Sequence, residues 1–326
     1  MAAAVQPEKI LKDLAKLWVD LEKDDSQKKS AGVLRACAMT LIAAVEQEAD
    51  AAAVGETLAE LMHQHPSRAI VLRVCPDHES ALDARVFAQC WMPFGRRQQI
   101  CCEQIEITAS PSRVDDLPKL VLGLMVPDLP VVLWCRSESL ARDTNFQNLF
   151  PLATKIIVDT THFDESEQTG VDFIRGLLAK NYNVADLAWT RLTRWRETVA
   201  HIFDNRHARE RLNQIDTVTI THSGPNLKTS PTSRLAFLAA WFKNTLPSPF
   251  QLNLKATGAD SDRLVQGIEL TGAGFNASIE LDGAAAIVRV DRLTRRIPFP
   301  KLTDFELLRE ELGILGPDPV FRRSLA

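Results

Sequence analysis

Glycine is sparse in this chain, 14 residues of 326. There is no G-x-G-x-x-G and no Walker lysine. The turns that follow its apolar runs read EQEAD, CPDHE and CRSES. A Cβ in such a turn blocks the backbone from approaching a phosphate. Dinucleotide and P-loop binding are therefore not expected, and no cofactor is implied. Cysteine is scarce too: six residues are too few for a disulfide scaffold, so reduced thiols are the expectation. There is no C-x-x-C. Cys101 and Cys102, adjacent on an expected strand, point to opposite faces. Cys37, Cys75 and Cys135 lie in or at the ends of apolar strands, where cysteine usually acts as a small core residue.

Long apolar runs are also missing. No stretch approaches the ~18 uncharged apolar residues of a membrane span. The N-terminal MAAAVQPEKILKDLAKLW has no basic segment followed by an apolar one, as a signal peptide would. A cytoplasmic location with no membrane partner is expected. The net charge of −4 and pI near 6.0 do not provide the broad basic face of a nucleic-acid binder. Neither G-x-S-x-G nor H-E-x-x-H occurs. His63 and His65, two apart at a helix end, do not share a helix face, so no metal site is expected. Asp77 and Asp159, near strand ends, suit turn and capping duties.

What is present is a regular alternation. Residues 7–24 have the periodicity of an amphipathic helix, with Ile10, Leu11, Leu14, Leu17, Trp18 and Leu21 at helical spacing. A charged linker follows at 23–30. Buried strands are expected within 35–47 and at 67–76, 129–136 and 154–160, with helices at 51–66, 115–127 and 144–153 between them. This predicts a mostly parallel sheet covered on both faces, with right-handed crossovers. Residues 82–92 and 97–109 alternate apolar and polar around a Pro-Gly turn, which predicts an antiparallel hairpin. An acidic loop, FDESEQTG, precedes helices at 171–181 and 186–211. Beyond about residue 212 the pattern changes to a strand (214–223), a helix (233–246), a run of strands from 250 to 293 separated by Gly and Asp turns, and a helix at 304–315. The predicted layout is an N-terminal helix and linker (1–30), an α/β domain (31–211) and an α+β domain with an antiparallel meander (212–326).

The stretch DLAWTRLTRWRETVAHIFD, residues 186–204, holds tryptophan and arginine together. On a wheel of about 100° per residue, Trp189, Leu192, Trp195, Val199, Ile202 and Phe203 share one side. Arg191 and Arg194 flank this stripe and Arg196 lies within it. Asp186 suits an N-cap. An arginine inside an apolar stripe must be paired or stacked, because an unpaired buried charge is costly. Two readings stand: an arginine anchored inside with both tryptophans in the core, or a partner surface, where Trp and Arg are enriched.

This stretch resembles the signature of the glucose-6-phosphate dehydrogenase assembly protein family, OpcA. HPSRAIVL (65–72), PDLPVVLWCR (127–136) and LLREELGILGPDPVFRRSL (307–325) resemble it as well, in the same order. The resemblance implies a non-catalytic protein that binds glucose-6-phosphate dehydrogenase, promotes its active oligomer and tunes its activity. In cyanobacterial members the effect is tied to redox state through thioredoxin. The expected partner-binding residues are Trp189, Arg191, Arg194, Trp195 and Arg196, with Arg68 and Arg136 near the ends of buried strands. The alternative is a sugar-phosphate sensor or enzyme that uses the carboxyl ends of the parallel strands, around Arg136 and Asp159.

Overall fold

A computed structural model describes residues 6–27, 32–46, 48–75, 82–95, 98–163, 168–224, 232–258, 261 and 263–325. Lys28–Ser30 of the expected linker, Asp77 and residues 164–167 of the acidic loop lie outside the described residues. The chain forms two compact units. The first comprises 1–159, 177–185 and 308–316; the second comprises 160–176, 186–307 and 317–326.

The first unit is built on an eight-stranded sheet. Its strands are β1 (Val33–Arg35), β2 (Met39–Val45), β3 (Ser67–Val74), β4 (Leu82–Trp91), β5 (Gln99–Ala109), β6 (Val131–Cys135), β7 (Lys155–Val158) and β8 (Val184–Asp186). The order is β1-β5-β3-β2-β6-β7-β8, with β4 laid antiparallel along β5. The pairs β2/β3, β2/β6, β3/β5 and β6/β7 are parallel. The runs MTLIAAV, VVLWC and KIIV are buried at every position, as a sheet covered on both faces requires. β4 instead alternates half-buried with exposed residues along nearly its whole length, so one of its faces is open. The predicted α/β architecture is thus present, hairpin included.

The helices of this unit include α1 (Pro7–Gln27), α2 (Glu48–Leu61), α3 (Leu117–Leu124) and α4 (Glu138–Arg142). α1 extends through residues expected to be linker and buries Ile10 and Leu14, packing on β4 and α3. The expected helix at 144–153 is a 3-10 turn, Phe146–Leu152, with Pro151 inside it; proline cannot supply the amide an α-helix needs there.

One sequence expectation fails at the hairpin. The structure joins Cys90 and Cys101 in a disulfide, with Cα atoms 4.1 Å apart. The register sets these two residues directly opposite each other on β4 and β5, close enough for a bond to form across the hairpin. Cys37, Cys75, Cys102 and Cys135 are free. Burial pushes the Cys102 thiol up to about 11 and the Cys135 thiol up to about 12, so neither is a thiolate nucleophile near neutral pH.

The second unit carries a six-stranded sheet: β9 (Ile215–His222), β10 (Gln251–Ala256), β11 (Val265–Gly272), β12 (Phe275–Asp282), β13 (Ala285–Val290) and β14 (Leu293–Pro298). Its order is β10-β9-β11-β12-β13-β14. From β9 through β11 to β14 all neighbours are antiparallel. β10, expected within the meander, pairs parallel with β9, because the helix α9 (Ser233–Thr245) is the crossover that joins them. The last strand expected, 285–293, ends sooner, at Val290, and a further strand begins at Leu293. Asp291 takes φ +50° in a tight turn after β13, and the chain returns as β14.

α5 (Gly170–Ala179), α6 (Leu187–Thr190), α7 (Thr193–Ile202), α8 (Arg206–Glu210), α10 (Asp304–Leu312) and α11 (Pro319–Leu325) complete the helices. α10 starts with a reciprocal cap. The Glu306 carboxylate accepts from the Thr303 amide at 2.8 Å, and the Thr303 hydroxyl oxygen accepts from the Glu306 amide. Among the described residues no helix is long and apolar enough to cross a membrane.

Candidate functional site

The tryptophan–arginine stretch is not one helix from 186 to 211 but α6, α7 and α8 in succession. The first break has a local cause. The Thr190 hydroxyl donates to the Asp186 carbonyl at 3.1 Å, a back-bond that bends helices. The α7 amides pick up again with Arg196 N donating to Leu192 O. Asp186 caps α6 as expected, accepting from the Ala188 amide at 2.8 Å. It also accepts from the Thr160 amide at 3.1 Å and the Thr160 hydroxyl at 2.5 Å. A carboxylate with no exposed surface is stable there because each of these donors replaces water.

Both tryptophans point into the second unit. Trp189 is 2% exposed. Its ring lies 5.3 Å from Phe321 and 6.2 Å from Phe237, and its Nε1 donates to Asp318 at 3.0 Å. Asp318 in turn accepts from the Val320 and Phe321 amides that start α11. The two most distinctive stretches of the sequence, DLAWTRLTRWRETVAHIFD and GPDPVFRRSL, therefore meet in one core. Arg196 is stacked, with Cζ 3.6 Å from the Trp189 ring centre and Nη2 donating to Thr193 at 3.0 Å. The stacking is a favourable place for a guanidinium on an apolar face. Trp195 packs edge-to-face on Phe299 at 4.9 Å.

Arg191 and Arg194 leave this core and line a cavity of about 720 Å³ in the second unit. Arg234, Arg263 and Lys301 line it too, with Asp304 as the carboxylate among the described lining residues. Arg191 donates to the Thr161 hydroxyl at 3.3 Å and lies 3.7 Å from Asp304. Arg263 donates to the Phe299 carbonyl at 2.7 Å. Sequence reasoning found the two arginines of the stretch but missed the other three cations. Each is a lone basic residue in its own segment, and only the fold gathers them.

The remaining candidates lie in the first unit. Arg68 is buried: its Nε donates to Glu103 at 2.6 Å and its Nη1 to the Leu124 carbonyl at 2.7 Å. Glu103 also accepts from Trp18 Nε1 at 2.7 Å and pairs with Arg35 at 2.7 Å. Nothing in the sequence marked Glu103, which sits in an alternating strand like any exposed glutamate. Arg136 lies at the carboxyl end of β6, 3.6 Å from Asp50 and 5.4 Å from the centre of the Trp134 ring.

Strand order reverses at β2/β6, and open α/β sheets bind ligands there. A cleft of about 500 Å³ does open at that point, lined by Glu46, Asp50, Arg136, Glu138 and Arg142, with Ser137 and Ser139. The residues do not fit a dinucleotide. Glu46 occupies the turn before α2 and accepts from the Ser137 hydroxyl, which puts the protein's own carboxylate where a pyrophosphate would sit. Asp159 is not among the described lining residues of this cleft. No group of three or more potential metal-ligating side chains occurs among the described residues.

The architecture defines a class first: a two-unit chain, with a largely parallel α/β sheet in one unit and a mostly antiparallel sheet with helices in the other. It is similar to the transcriptional regulator Gal80p from Kluyveromyces lactis, with a TM-score of 0.51 at 8% identity over 90% of each chain, a likeness of fold alone. The particular family follows from the sequence. Residues 58–173 match the model of the glucose-6-phosphate dehydrogenase subunit N-terminal domain, and residues 182–325 match that of its C-terminal domain. The protein called "Putative OxPP cycle protein OpcA" in Nostoc punctiforme is 29% identical over 192 residues, 57% of this chain and 39% of its own length. Its namesake in a Synechocystis species is 30% identical over 165 residues, 50% of this chain and 34% of its own length. The chain belongs to the OpcA family. The matched stretch spans well under half of those relatives.

Proposed function

We propose that this chain is a non-catalytic partner of glucose-6-phosphate dehydrogenase, which binds the enzyme and favours its active oligomer. The observation that carries this reading is the pair of family models, both named for a subunit of that enzyme, over residues 58–173 and 182–325. A partner without chemistry of its own acts by binding one state of the enzyme better than another. A tenfold shift needs about 1.4 kcal/mol of differential binding.

The contact surface in this reading includes Arg191 and Arg194 together with the exposed side of α7 and α8, where His201, Arg206 and Arg209 face solvent. Trp189, Trp195 and Arg196 brace that surface from within. Arg68 holds Glu103 inside the first unit and contributes no contact of its own. Arg136 is a second, separate candidate. The sugar-phosphate alternative at the strand ends is disfavoured by the carboxylates of Glu46, Asp50 and Glu138 in that cleft, which repel a phosphate.

The test is the double variant Arg191→Ala/Arg194→Ala, titrated against the enzyme. Loss of one or two charge-assisted contacts should weaken the complex about tenfold to a hundredfold, with the far-ultraviolet circular dichroism of the chain unchanged. Unaltered binding and unaltered activation would move the contact surface elsewhere.

A further inference from the structure

We infer that the trough between the helices α7 and α8 and the β13–β14 hairpin docks an acidic segment of the partner enzyme that carries an apolar anchor. The inference rests on the partnership proposed above and adds the chemistry of the contact. The trough has a volume of about 560 Å³, and its described lining residues all belong to the second unit. Its apolar lining includes Ile202, Val288, Val290, Leu293 and Ile297. The register explains why the strand residues meet there. Val290 pairs with Leu293 and Val288 with Arg295, and every second side chain along a strand returns to the same face. Leu293, Arg295 and Ile297 therefore look the same way as Val288 and Val290, into the trough. Val288, Val290 and Ile297 are half-buried, and Leu293 is 62% exposed.

Charge divides between the two faces of this hairpin. On the outward face Arg289 pairs with Glu280 at 2.7 Å and Arg296 with Asp282 at 3.1 Å. On the trough side Arg292 and Arg295 meet no carboxylate and no hydrogen-bond acceptor among the described residues. Asp291 is the carboxylate among the described lining residues, and it is already engaged: both of its oxygens accept from the Arg211 guanidinium. The two arginines without a partner are thus the two beside the open apolar residues.

Exposed arginines cost little in water, and charges on an edge strand discourage stray pairing. Neither explains why a leucine and the apolar trough behind it stay open to water. A partner segment that sets an apolar side chain against Leu293 and Ile297 removes that surface from water. Carboxylates beside the anchor meet Arg292 and Arg295 in charge-assisted, forked hydrogen bonds. Arginine at the rim of an apolar pocket is the composition of interface anchors. The chain as a whole carries a net charge of −4, so a local positive rim also steers an acidic segment to this place rather than elsewhere on the surface. The trough adjoins the contact surface proposed above, since His201 belongs to both.

The experiment measures binding of the whole chain to glucose-6-phosphate dehydrogenase by biolayer interferometry, at low and at high salt. Leu293→Ser removes the apolar half of the site and should weaken the complex about tenfold, mainly through faster dissociation. Arg295→Glu should weaken it about tenfold to a hundredfold, mainly through slower association, and flatten its salt dependence. Both side chains are exposed, so both variants stay folded. Arg289→Glu makes the same change of charge on the outward face and should bind as the unaltered chain does. If the unaltered chain binds, and Leu293→Ser and Arg295→Glu bind equally well, the inference is overturned and the partnership stands. Equal losses in Arg289→Glu and Arg295→Glu also overturn it, since the effect then belongs to net charge. Absence of any complex with the unaltered chain overturns the partnership and the inference together. Sedimentation of the chain alone tests the other occupant: a dimer that Leu293→Ser dissolves would give the trough to a second copy and overturn the inference.

Discussion

Glu103→Gln is expected to destabilise the first unit by roughly 3–5 kcal/mol, the cost of stranding a buried charge. Glu103 is 3% exposed and accepts from Arg68, Arg35 and Trp18. β3 and β5 run parallel with Ala69 facing Gln104, which sets Arg68 beside Glu103. The amide of glutamine keeps the shape and one acceptor oxygen but removes the counter-charge, leaving the buried Arg68 with neutral acceptors only, the Leu124 carbonyl among them. Arg35 is half exposed and can turn to water, whereas Arg68 cannot. The double replacement Arg68→Met/Glu103→Leu removes both charges and should recover most of the loss. Urea unfolding of the three proteins measures this. A loss below about 1 kcal/mol for Glu103→Gln, or no recovery in the double variant, would mean that the network is not what holds this part of the unit.

Trp189→Ala should cost the second unit a comparable amount, about 3–5 kcal/mol, through the cavity it opens. The variant removes the ring against which Arg196, Phe237 and Phe321 pack and the donor to Asp318. Trp189→Phe keeps most of the packing and should cost about 1–2 kcal/mol, the indole–carboxylate hydrogen bond and a small void. The position separates two roles. If Trp189 is a brace, enzyme binding falls only as the folded fraction falls, and Trp189→Phe binds normally. A Trp189→Phe chain of near-native stability that fails to bind would make the indole a contact residue instead.

The sheet of the first unit was legible because its strands are short, uninterrupted apolar runs. Their length, too short for a buried helix, and their bounding turn residues mark them as strands covered on both faces, as in MTLIAAV and VVLWC. The hairpin was legible for the opposite reason, its strict alternation. The parallel placement of β10 was not, because strand sequences carry little about their neighbours; the clue was α9, whose crossover demands it. The break between α6 and α7 escaped because the apolar stripe runs through it: Trp189, Leu192, Trp195, Val199 and Ile202 are all buried on both sides of the bend. Only the Thr190 hydroxyl, with its carbonyl partner four residues back, marks the place.

The candidate site was half legible. A guanidinium in an apolar stripe had to be stacked or paired, and Arg196 is stacked on Trp189. The wheel put both tryptophans on the stripe and Arg191 and Arg194 beside it but left core and partner surface open; the structure buries both tryptophans and sets the two arginines at the cavity. Arg234, Arg263 and Lys301 could not be found by any local pattern, since each owes its place in the cavity to tertiary structure. The disulfide is not legible locally, because Cys101 has Cys102 beside it in sequence, whose side chain points to the other face. The partner of Cys101, Cys90, lies across the hairpin.

The central claim is the partnership with glucose-6-phosphate dehydrogenase. Co-purification of this chain with the enzyme from the same organism, followed by an activity assay with and without it, tests that claim most directly. A stable complex with altered kinetics is expected. No complex and no kinetic change, in reducing and in oxidising buffer alike, would contradict it.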